Sequence, residues 1–309
     1  MKTTLVWTIQ FLLIPALSPL AVGVTRKLKA LLQNRQGASP FQPYRDLAKL
    51  LRKDEVISRD ASWVFRVTPY LLFTLTVAAG ASIPLVSTAL GNPATGDFLV
   101  VVYLLALGTF FLALAGIDTG GAFGGFGSSR EMLVAALAEG GLILALLTLA
   151  LLGRTTDLFA LAGGIASLPV TDLAPVILAF VGFFVALLAE TGRYPFDNPA
   201  THLELTMIHE AMILEYSGKR LALIEWSSAN KYLLFTALGA NLFFPWGLAG
   251  SLALGEIALA LTVFLGKALV LCAAVALLES TIAKFRIFRL PDLLFTSFIL
   301  SIIAIGLIG

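Results

Sequence analysis

Two ionisable side chains interrupt apolar runs that are long enough to cross a bilayer. Glu139 lies in the run EMLVAALAEGGLIL, and Lys267 lies in the run VFLGKALVLC. A charged side chain at membrane depth carries a large free-energy penalty, so such residues are typically paired or take part in ion movement. A structural ion pair is the alternative for both, and we favour proton movement. For Glu131 and Glu279, near the ends of such runs, pairing and function remain equally open.

Both histidines of the chain, His202 and His209, lie in one acidic segment between residues 190 and 230. If residues 202–216 form a helix, the two histidines share a face, because they are seven residues apart. Two histidines alone make a poor metal site, because zinc requires further ligands. The sequence therefore predicts no metal site in this chain.

The carboxylates of the same segment include a group that surrounds Pro195 and Phe196, where the chain leaves the bilayer. Carboxylates at that point could pass protons between the aqueous side and Glu139. Glu204 and Glu215, eleven residues apart, would share a helical face. The acidic residues of the segment are Glu190, Asp197, Glu204, Glu210, Glu215 and Glu225.

The composition of the 309 residues predicts an all-α integral membrane protein. Apolar residues make up 58% of the chain and charged residues 13%, with a mean hydropathy of +0.92. A soluble domain has about 25% charged residues, so this chain lacks the polar surface that water requires. The net charge of +2 gives no indication of nucleic acid as a partner. Cys272 is the single cysteine, so any iron–sulfur cluster must belong to another chain.

About eight windows reach the roughly 20 apolar residues that a membrane helix needs. We interpret the first as a retained helix rather than a signal peptide, because it is long and contains Pro15 and Pro19. The windows are 4–23, 67–88, 98–116, 131–152, 174–191, 231–249, 256–279 and 291–308.

The distribution of lysine and arginine predicts the orientation. Of the 21 such residues, 18 fall in odd-numbered loops, and Arg154 alone falls in an even-numbered one. Loops rich in these residues face the cytoplasm, so both termini are expected outside. The fifth loop contributes Arg193, Lys219, Arg220 and Lys231.

We expect a single membrane domain over residues 1–309, with two long cytoplasmic loops. The first, 26–66, is basic and contains the amphipathic stretch YRDLAKLLRKDEV, whose Leu47, Leu50 and Leu51 share a helical face. The second, 190–230, is the acidic one. Residues 120–127, GGAFGGFG, are predicted to form a flexible glycine-rich turn.

Several blocks resemble the subunit 1 family of respiratory complex I. They are ETGRYPFD at 190–197 with Glu204-Leu205 and Glu215-Tyr216-Ser217, QNRQGASPFQPYRDLAKLLRK at 33–53, GSSRE at 127–131 with Glu139 following Arg130 by nine residues, and ESTIAKFRIFRLPD at 279–292. The YRDLAKLLRK and LEYSG forms are more similar to the branch in membrane-bound group 4 [NiFe]-hydrogenases, which includes formate hydrogenlyase subunit 4 and hydrogenase-4 component C. The blocks cover nearly the whole chain in order.

The resemblance implies a membrane-anchor and proton-path subunit of a redox-driven, ion-translocating oxidoreductase complex in a prokaryotic cytoplasmic (inner) membrane, with no complete active site of its own. The implied partners are soluble hydrogenase or dehydrogenase large and small subunits, an iron–sulfur subunit and antiporter-like membrane subunits. No cofactor is expected in this chain; iron–sulfur clusters and, in hydrogenases, a nickel–iron centre would belong to the partners.

The resemblance also assigns roles to individual residues. The proton-path candidates are Glu139, Glu190, Asp197, His202, Glu204, Glu215 and, from its position in the membrane, Lys267. The candidates for docking the soluble arm are Arg35, Tyr44, Arg45, Asp46, Lys49, Arg193 and Arg286.

The chain departs from the family at three places. Ala200 and His202 stand where complex I usually has acidic residues, Gly37-Ala38 replaces a Gly-Pro pair, and three extra residues precede Glu215-Tyr216. These departures weaken the case for quinone binding. His202 could replace a carboxylate as a proton carrier, because an imidazole ordinarily titrates near pH ~6.5.

Two alternatives stay open within this architecture: a quinone-linked complex I relative and a nickel-free hydrogenase-related complex. A secondary transporter is a distant alternative, because transporters usually show two related halves and no such repeat is evident. An enzyme acting on lipid lacks a nucleophile–base arrangement.

Overall fold

The fold is a bundle of helices, most of which are long and apolar enough to span a membrane. The computed structural model describes residues 2–90, 96–169, 173–197 and 207–308, and within these ranges it contains no strand beyond isolated bridges. The helices are α1 Lys2–Leu32, α2 Gln42–Arg52, α3 Trp63–Ala81, α4 Phe98–Asp118, α5 Ala122–Gly153, α6 Leu158–Ala166, α7 Leu173–Glu190, α8 His209–Ile213, α9 Gly218–Leu238, α10 Leu254–Thr281 and α11 Leu290–Gly306.

Seven helical segments of the described chain are long and apolar enough to cross a bilayer, which confirms the membrane class. They are Val6–Leu32, Trp63–Ala81, Phe98–Asp118, Ala122–Gly153, Leu173–Glu190, Leu254–Thr281 and Ile287–Gly306. Each coincides with one of the predicted windows.

The remaining predicted window, 231–249, corresponds to the second half of α9 and the five-residue π-helix Gly239–Phe243 that continues it. This helix begins earlier than predicted, at Gly218, and its first half contains Lys219, Arg220 and Glu225. It is therefore too polar to count as a span by composition. Because α9 packs against α1 and α3, its second half is enclosed by protein and not by lipid.

One end of the bundle, here called the basic end, gathers the first and fifth loops. Arg220 pairs with Glu55 at 2.9 Å, and Ser217 bonds both backbone polar groups of Val56. The Asp118 carboxylate at the end of α4 accepts from the backbone N–H of Ser62 at the start of α3. These contacts place both long loops on the same side, as the charge distribution predicts. The helices shorten the loops, because α1 extends to Leu32 and α9 starts at Gly218.

In two spans, a proline leaves a backbone carbonyl without its helical partner, and a side chain from the basic end donates a hydrogen bond to that carbonyl. Pro19 lacks the N–H that would bond the Pro15 carbonyl four residues earlier, and Trp226 of α9 donates to that oxygen at 2.8 Å. Tyr44 of α2 donates to the adjacent carbonyl of Ala16 at 2.5 Å. Pro19 therefore frees an acceptor that holds α9 in place, because a freed carbonyl in a bilayer must find a donor within the protein. The bond from Tyr44 fastens α2 beside it.

The same arrangement recurs in α3. Pro69 leaves the Phe65 carbonyl without its helical partner, and the Tyr216 hydroxyl donates to it at 3.0 Å. The rings of Phe65 and Tyr216 also stack, with centroids 3.9 Å apart. Tyr216 lies in the short connection between α8, which contains only His209–Ile213, and α9. The described part of the predicted 202–216 helix is therefore much shorter than expected.

The prediction of a flexible turn at residues 120–127 is wrong, because α5 begins at Ala122 and includes most of this stretch. The glycines allow close packing. A Cβ on Gly124 would lie 1.9 Å from the Gly116 carbonyl oxygen of α4, and one on Gly127 would lie 2.8 Å from the Ile208 carbonyl oxygen. Close backbone approach, and not mobility, explains these glycines.

We expect Gly124→Ala to destabilise the protein and Gly125→Ala to leave it unchanged or slightly more stable. The added methyl at residue 124 collides with backbone of α4, and overpacking of this kind costs about 1–3 kcal/mol. Gly125 has open space around its Cβ position, so alanine there only improves helix propensity. Tm in detergent measures both variants, and equal Tm values would contradict the packing role.

Candidate functional site

A cavity of about 520 Å³ lies at the basic end, between α1, α2, α3, α4 and α9. One side is apolar, and α2 covers it because the amphipathic pattern directs Leu47 into the protein. The predicted amphipathic helix is thus confirmed, and its apolar face forms part of the cavity. The leucines that line this side include Leu47, Leu50, Leu72, Leu75, Leu104 and Leu112.

The other side of the cavity, here called the polar wall, is formed by ionisable side chains from seven helices and the 191–197 loop. Because these groups are far apart in sequence, only the fold brings them together. The polar wall consists of Arg26, Lys29, Asp46, Glu131, Glu190, Arg193, Asp197, His209, Glu210, Glu225, Lys231 and Glu279.

The innermost contact of the polar wall is an ion pair between Lys231 of α9 and Glu190 of α7. Lys231 Nζ lies 2.7 Å from Glu190 Oε2 and donates to Thr109 Oγ1 of α4 at 3.0 Å. Both charged side chains are largely buried, at 16% and 4% exposure. The second carboxylate oxygen, Glu190 Oε1, has no hydrogen-bond partner in the described part of the chain.

A second carboxylate, Glu279 at the end of α10, binds two cations. Lys29 Nζ lies 2.9 Å from Oε2, and Arg193 Nη1 lies 3.3 Å from Oε1. The Arg193 guanidinium also lies over the Tyr232 ring, 4.1 Å from its centroid, a geometry that favours a cation. Glu279 therefore joins α1 and α10 to the 191–197 loop.

The third carboxylate, Asp197, fastens the end of that loop. Lys284 Nζ lies 3.0 Å from Oδ1, and the His209 backbone N–H donates to Oδ2 at 3.1 Å. The Phe285 N–H donates to the Pro195 carbonyl at 3.2 Å. The loop after α7 is thus tied to the connection between α10 and α11 by both charge and backbone.

Two of the groups that line the cavity outside the spans, Glu210 and Tyr194, have raised pKa values. Burial raises the pKa of Glu210; His209 and Arg26 oppose the shift, whereas Glu225 and Asp197 reinforce it. A buried carboxyl with few cations near it favours its neutral form.

Tyr194 in the 191–197 loop behaves in the same way. Burial raises its pKa, and the nearby carboxylates of Glu279 and Asp197 add to the shift. The Tyr194 hydroxyl therefore stays protonated beside the polar wall.

The structure brings together only some of the predicted proton-path residues. Glu190 and Asp197 belong to the polar wall, and Glu139 of α5 lies deeper, within electrostatic range of Glu190 and Lys231. Glu215 is exposed and lies outside the cavity lining. His202 and Glu204 lie outside the described residues.

Lys267 is placed away from the polar wall, beside the π-helix that ends α9. Its Nζ donates to the carbonyls of Ala240 and Phe244 at 3.2 and 2.8 Å and to Asn241 Oδ1 at 3.1 Å. Asn241 in turn donates to the carbonyls of Pro84 and Leu85. These bonds satisfy oxygens at the end of the helical ladder; a part for Lys267 in proton movement stays a prediction.

The predicted docking residues divide into two groups. The side chains of Tyr44 and Arg193 are bonded inside the protein, to the Ala16 carbonyl and to Glu279. The others are exposed at the basic end, where another protein could contact them: Arg35, Arg45, Asp46, Lys49 and Arg286.

Sequence reasoning missed the most central cation. Lys231 was assigned to the fifth loop, which is wrong, because it lies in the middle of α9 and pairs with Glu190. The mostly apolar run LALIEWSSAN separates Lys231 from Lys219 and Arg220 and could have indicated a helix. It gives no indication that Glu190 is the partner of Lys231. Glu225 and Glu279 were also left without a predicted part in this site.

The matches to known proteins agree with this architecture. The sequence pattern of the family described as NADH dehydrogenase matches residues 4–309. The chain belongs to this family. Members similar to it include formate hydrogenlyase subunit 4 of Escherichia coli, 32% identical over 94% of both chains, and hydrogenase-4 component C of Escherichia coli, 33% identical over 96% of this chain and 92% of the relative.

Among solved structures, a chain of the membrane-bound sulfane sulfur reductase, an archaeal respiratory membrane complex, is similar to this protein. The two chains align over the full length of both, with a TM-score of 0.85 at 19% identity. This likeness establishes a shared fold.

We expect Glu210→Gln to raise Tm at neutral and alkaline pH but not at acidic pH. Because the folded-state pKa of Glu210 is raised, the protonated side chain favours folding at low pH, and this contribution is lost as pH rises through the folded-state pKa. Glutamine does not ionise, so the difference in Tm between variant and parent should increase from about pH 5 to about pH 8. Exposed Glu215→Gln is the control, and a pH-independent difference for Glu210→Gln would contradict the burial argument.

Proposed function

We propose that this chain is the membrane-anchor and proton-path subunit of a redox-driven ion-translocating complex, most similar to formate hydrogenlyase and hydrogenase-4 assemblies. The observation that carries the proposal is the buried Lys231–Glu190 pair at the inner end of a charged cavity, with Glu139 further along α5. Buried charges of this kind are expensive in a membrane and mark ion pathways.

The proposed path begins at the polar wall and continues to Glu139. Asp197, His209 and Glu210 lie near the loops, where protons can enter from water, and Glu190 lies further in. Glu190 Oε1 is buried and unpartnered among the described residues, so it can accept a proton or a bridging water. We place Glu139 after Glu190 in the path, because it interacts electrostatically with Glu190 and Lys231 and lies further along α5 than Glu131 of the polar wall. His202 and Glu204 remain candidates for the outer part of the path.

The proposed docking surface is the exposed basic face of the basic end. Arg35, Arg45, Lys49 and Arg286 are exposed, and a set of positive charges is suited to an acidic partner surface. The partners we propose are the soluble large and small subunits, an iron–sulfur subunit and antiporter-like membrane subunits. Their iron–sulfur clusters and any nickel–iron centre would carry the redox chemistry.

The distribution of charge supports the orientation that places this end in the cytoplasm. Lys231 no longer counts toward the loop total, because it lies in the middle of α9, whereas Lys219 and Arg220 lie in its first turn at the basic end. The asymmetry remains large. We therefore propose an inner-membrane location with both termini on the outer side.

A second candidate is a quinone-linked complex of the same architecture. The leucine-lined side of the cavity, roofed by α2, favours it, because an apolar compartment of about 520 Å³ beside a polar wall suits an amphiphilic molecule. If the purified complex reduced added quinone, this candidate would be favoured over the hydrogenase-like complex.

We expect Glu139→Gln to leave the complex assembled but to reduce ion-coupled activity by about tenfold or more, because the amide cannot carry a proton. The measurement is the pH change inside vesicles that contain the purified complex. Glu256→Gln is the control, because Glu256 is exposed near the start of α10 and accepts from the Ser251 N–H. Unchanged pumping by Glu139→Gln would rule out this carboxylate as part of the path.

We expect the double variant Arg45→Glu, Lys49→Glu to release the soluble arm from membranes. Both side chains are exposed on α2 and point away from the cavity leucines, so reversal changes charge without opening the core. Subunit content of washed membranes gives the measurement. Arg154→Glu, at the opposite end of the bundle, is the matched control, and retention of the arm by the α2 variant would move the docking surface elsewhere.

A further inference from the structure

Three helices bring four oxygen and nitrogen atoms together at the inner end of the polar wall. Lys231 Nζ of α9 lies between Glu190 Oε2 of α7 and Thr109 Oγ1 of α4, at 2.7 and 3.0 Å. Glu190 Oε1 is buried and has no partner within the described residues. The cluster therefore has one tethered cation and three oxygens, and Glu190 Oε1 is the oxygen that no described residue bonds.

The oxygens around Lys231 are of the types that bind alkali-metal ions in membrane proteins, which use carboxylate, hydroxyl and carbonyl oxygens. Glu190 and Thr109 line the cavity, so water molecules can complete a coordination shell. The ammonium group of Lys231 thus lies where a sodium ion would lie if the lysine were absent.

The charge balance of the cavity strengthens this point. Among the described residues, its lining contains seven carboxyl groups, Asp46, Glu131, Glu190, Asp197, Glu210, Glu225 and Glu279, and four lysines or arginines, Arg26, Lys29, Arg193 and Lys231. Removal of Lys231 leaves three of these cations. Lys284, outside the lining, pairs with Asp197. The carboxylate that loses its partner, Glu190, is also the more deeply buried member of the pair, at 4% exposure. A buried carboxylate without a partner must acquire a cation or a proton.

We infer that Lys231 is a specificity-determining residue that excludes sodium ions from the inner end of the cavity. The lysine holds the position beside Glu190 and Thr109, while Glu190 Oε1 remains open to a proton or a water molecule. The part of Lys231 in deciding which ion the complex moves rests on the proposed proton path. The exclusion of sodium itself is a statement about binding and can be tested without any activity.

The test is the binding of ²²Na⁺ to the purified, intact complex. We expect Lys231→Met to bind one additional sodium ion per complex relative to the parent, and the double variant Lys231→Met, Glu190→Gln to lose it. Lys231→Gln has an amide that can still bond Thr109 and carries no charge, so it should also gain the ion; it serves if the methionine variant does not assemble. Because the result is the difference in bound sodium between variant and parent, sodium that other subunits bind cancels out.

The matched control is Arg220→Met, which deprives another carboxylate, Glu55, of its partner. Glu55 is 30% exposed and lies outside the cavity lining, so water can hydrate it, and we expect no additional sodium. The inference is overturned if the Lys231 variants bind no more sodium than the parent. It is also overturned if the additional ion persists in the double variant, or if the parent binds sodium that Glu190→Gln removes. Failure of the proton path would appear instead as unchanged pumping by Glu139→Gln.

Discussion

The interior of a bilayer offers no water, so every freed carbonyl and every buried charge must find its partner within the protein. This constraint explains the contacts that determine the structure. Proline residues in α1 and α3 free the carbonyls of Pro15 and Phe65, which accept from Trp226 and Tyr216. The carboxylate of Glu190 is matched by a lysine from another helix in the same way. Removing one member of such a buried pair typically costs about 3–5 kcal/mol, so the same contacts hold the helices and place the candidate site.

The properties of the fold that depend on local composition could be predicted from the sequence. Apolar length located seven spans, and the lysine and arginine distribution placed both long loops at one end. The leucine spacing of α2 predicted the burial of Leu47, but Leu51, on the same predicted face, is exposed. The start of α9 and the helical glycines of α5 could not be predicted in this way. Their conformations depend on neighbours distant in sequence: Gly124 is required because Gly116 of α4 approaches it, which a single sequence does not reveal.

Three carboxylates of the candidate site could be predicted from the sequence, whereas Glu225, Glu279 and the central Lys231 could not. Glu190, Asp197 and Glu139 were identified because carboxylates at membrane depth or at the exit of a span are costly and therefore informative. The sequence predicts a loop position for Lys231 because the polar first half of α9 obscures where the membrane segment begins. Its partner lies 41 residues earlier in the chain, on α7, and such a pairing follows from the packing of helices and not from any spacing along one of them.

The two buried lysines show how the partner decides what a charge can do. Lys267 is surrounded by the neutral oxygens of Ala240, Asn241 and Phe244, which it satisfies where the π-helix ends the regular hydrogen-bond ladder. Lys231 instead faces a carboxylate, so the loss or gain of one proton at Glu190 changes the net charge of the pair. A low dielectric strengthens that change at neighbouring carboxylates, since Coulomb interactions grow as the dielectric constant falls. The charge of Glu190 therefore acts on Glu139 without any contact between them, whereas Lys267 contributes hydrogen bonds, which depend on geometry.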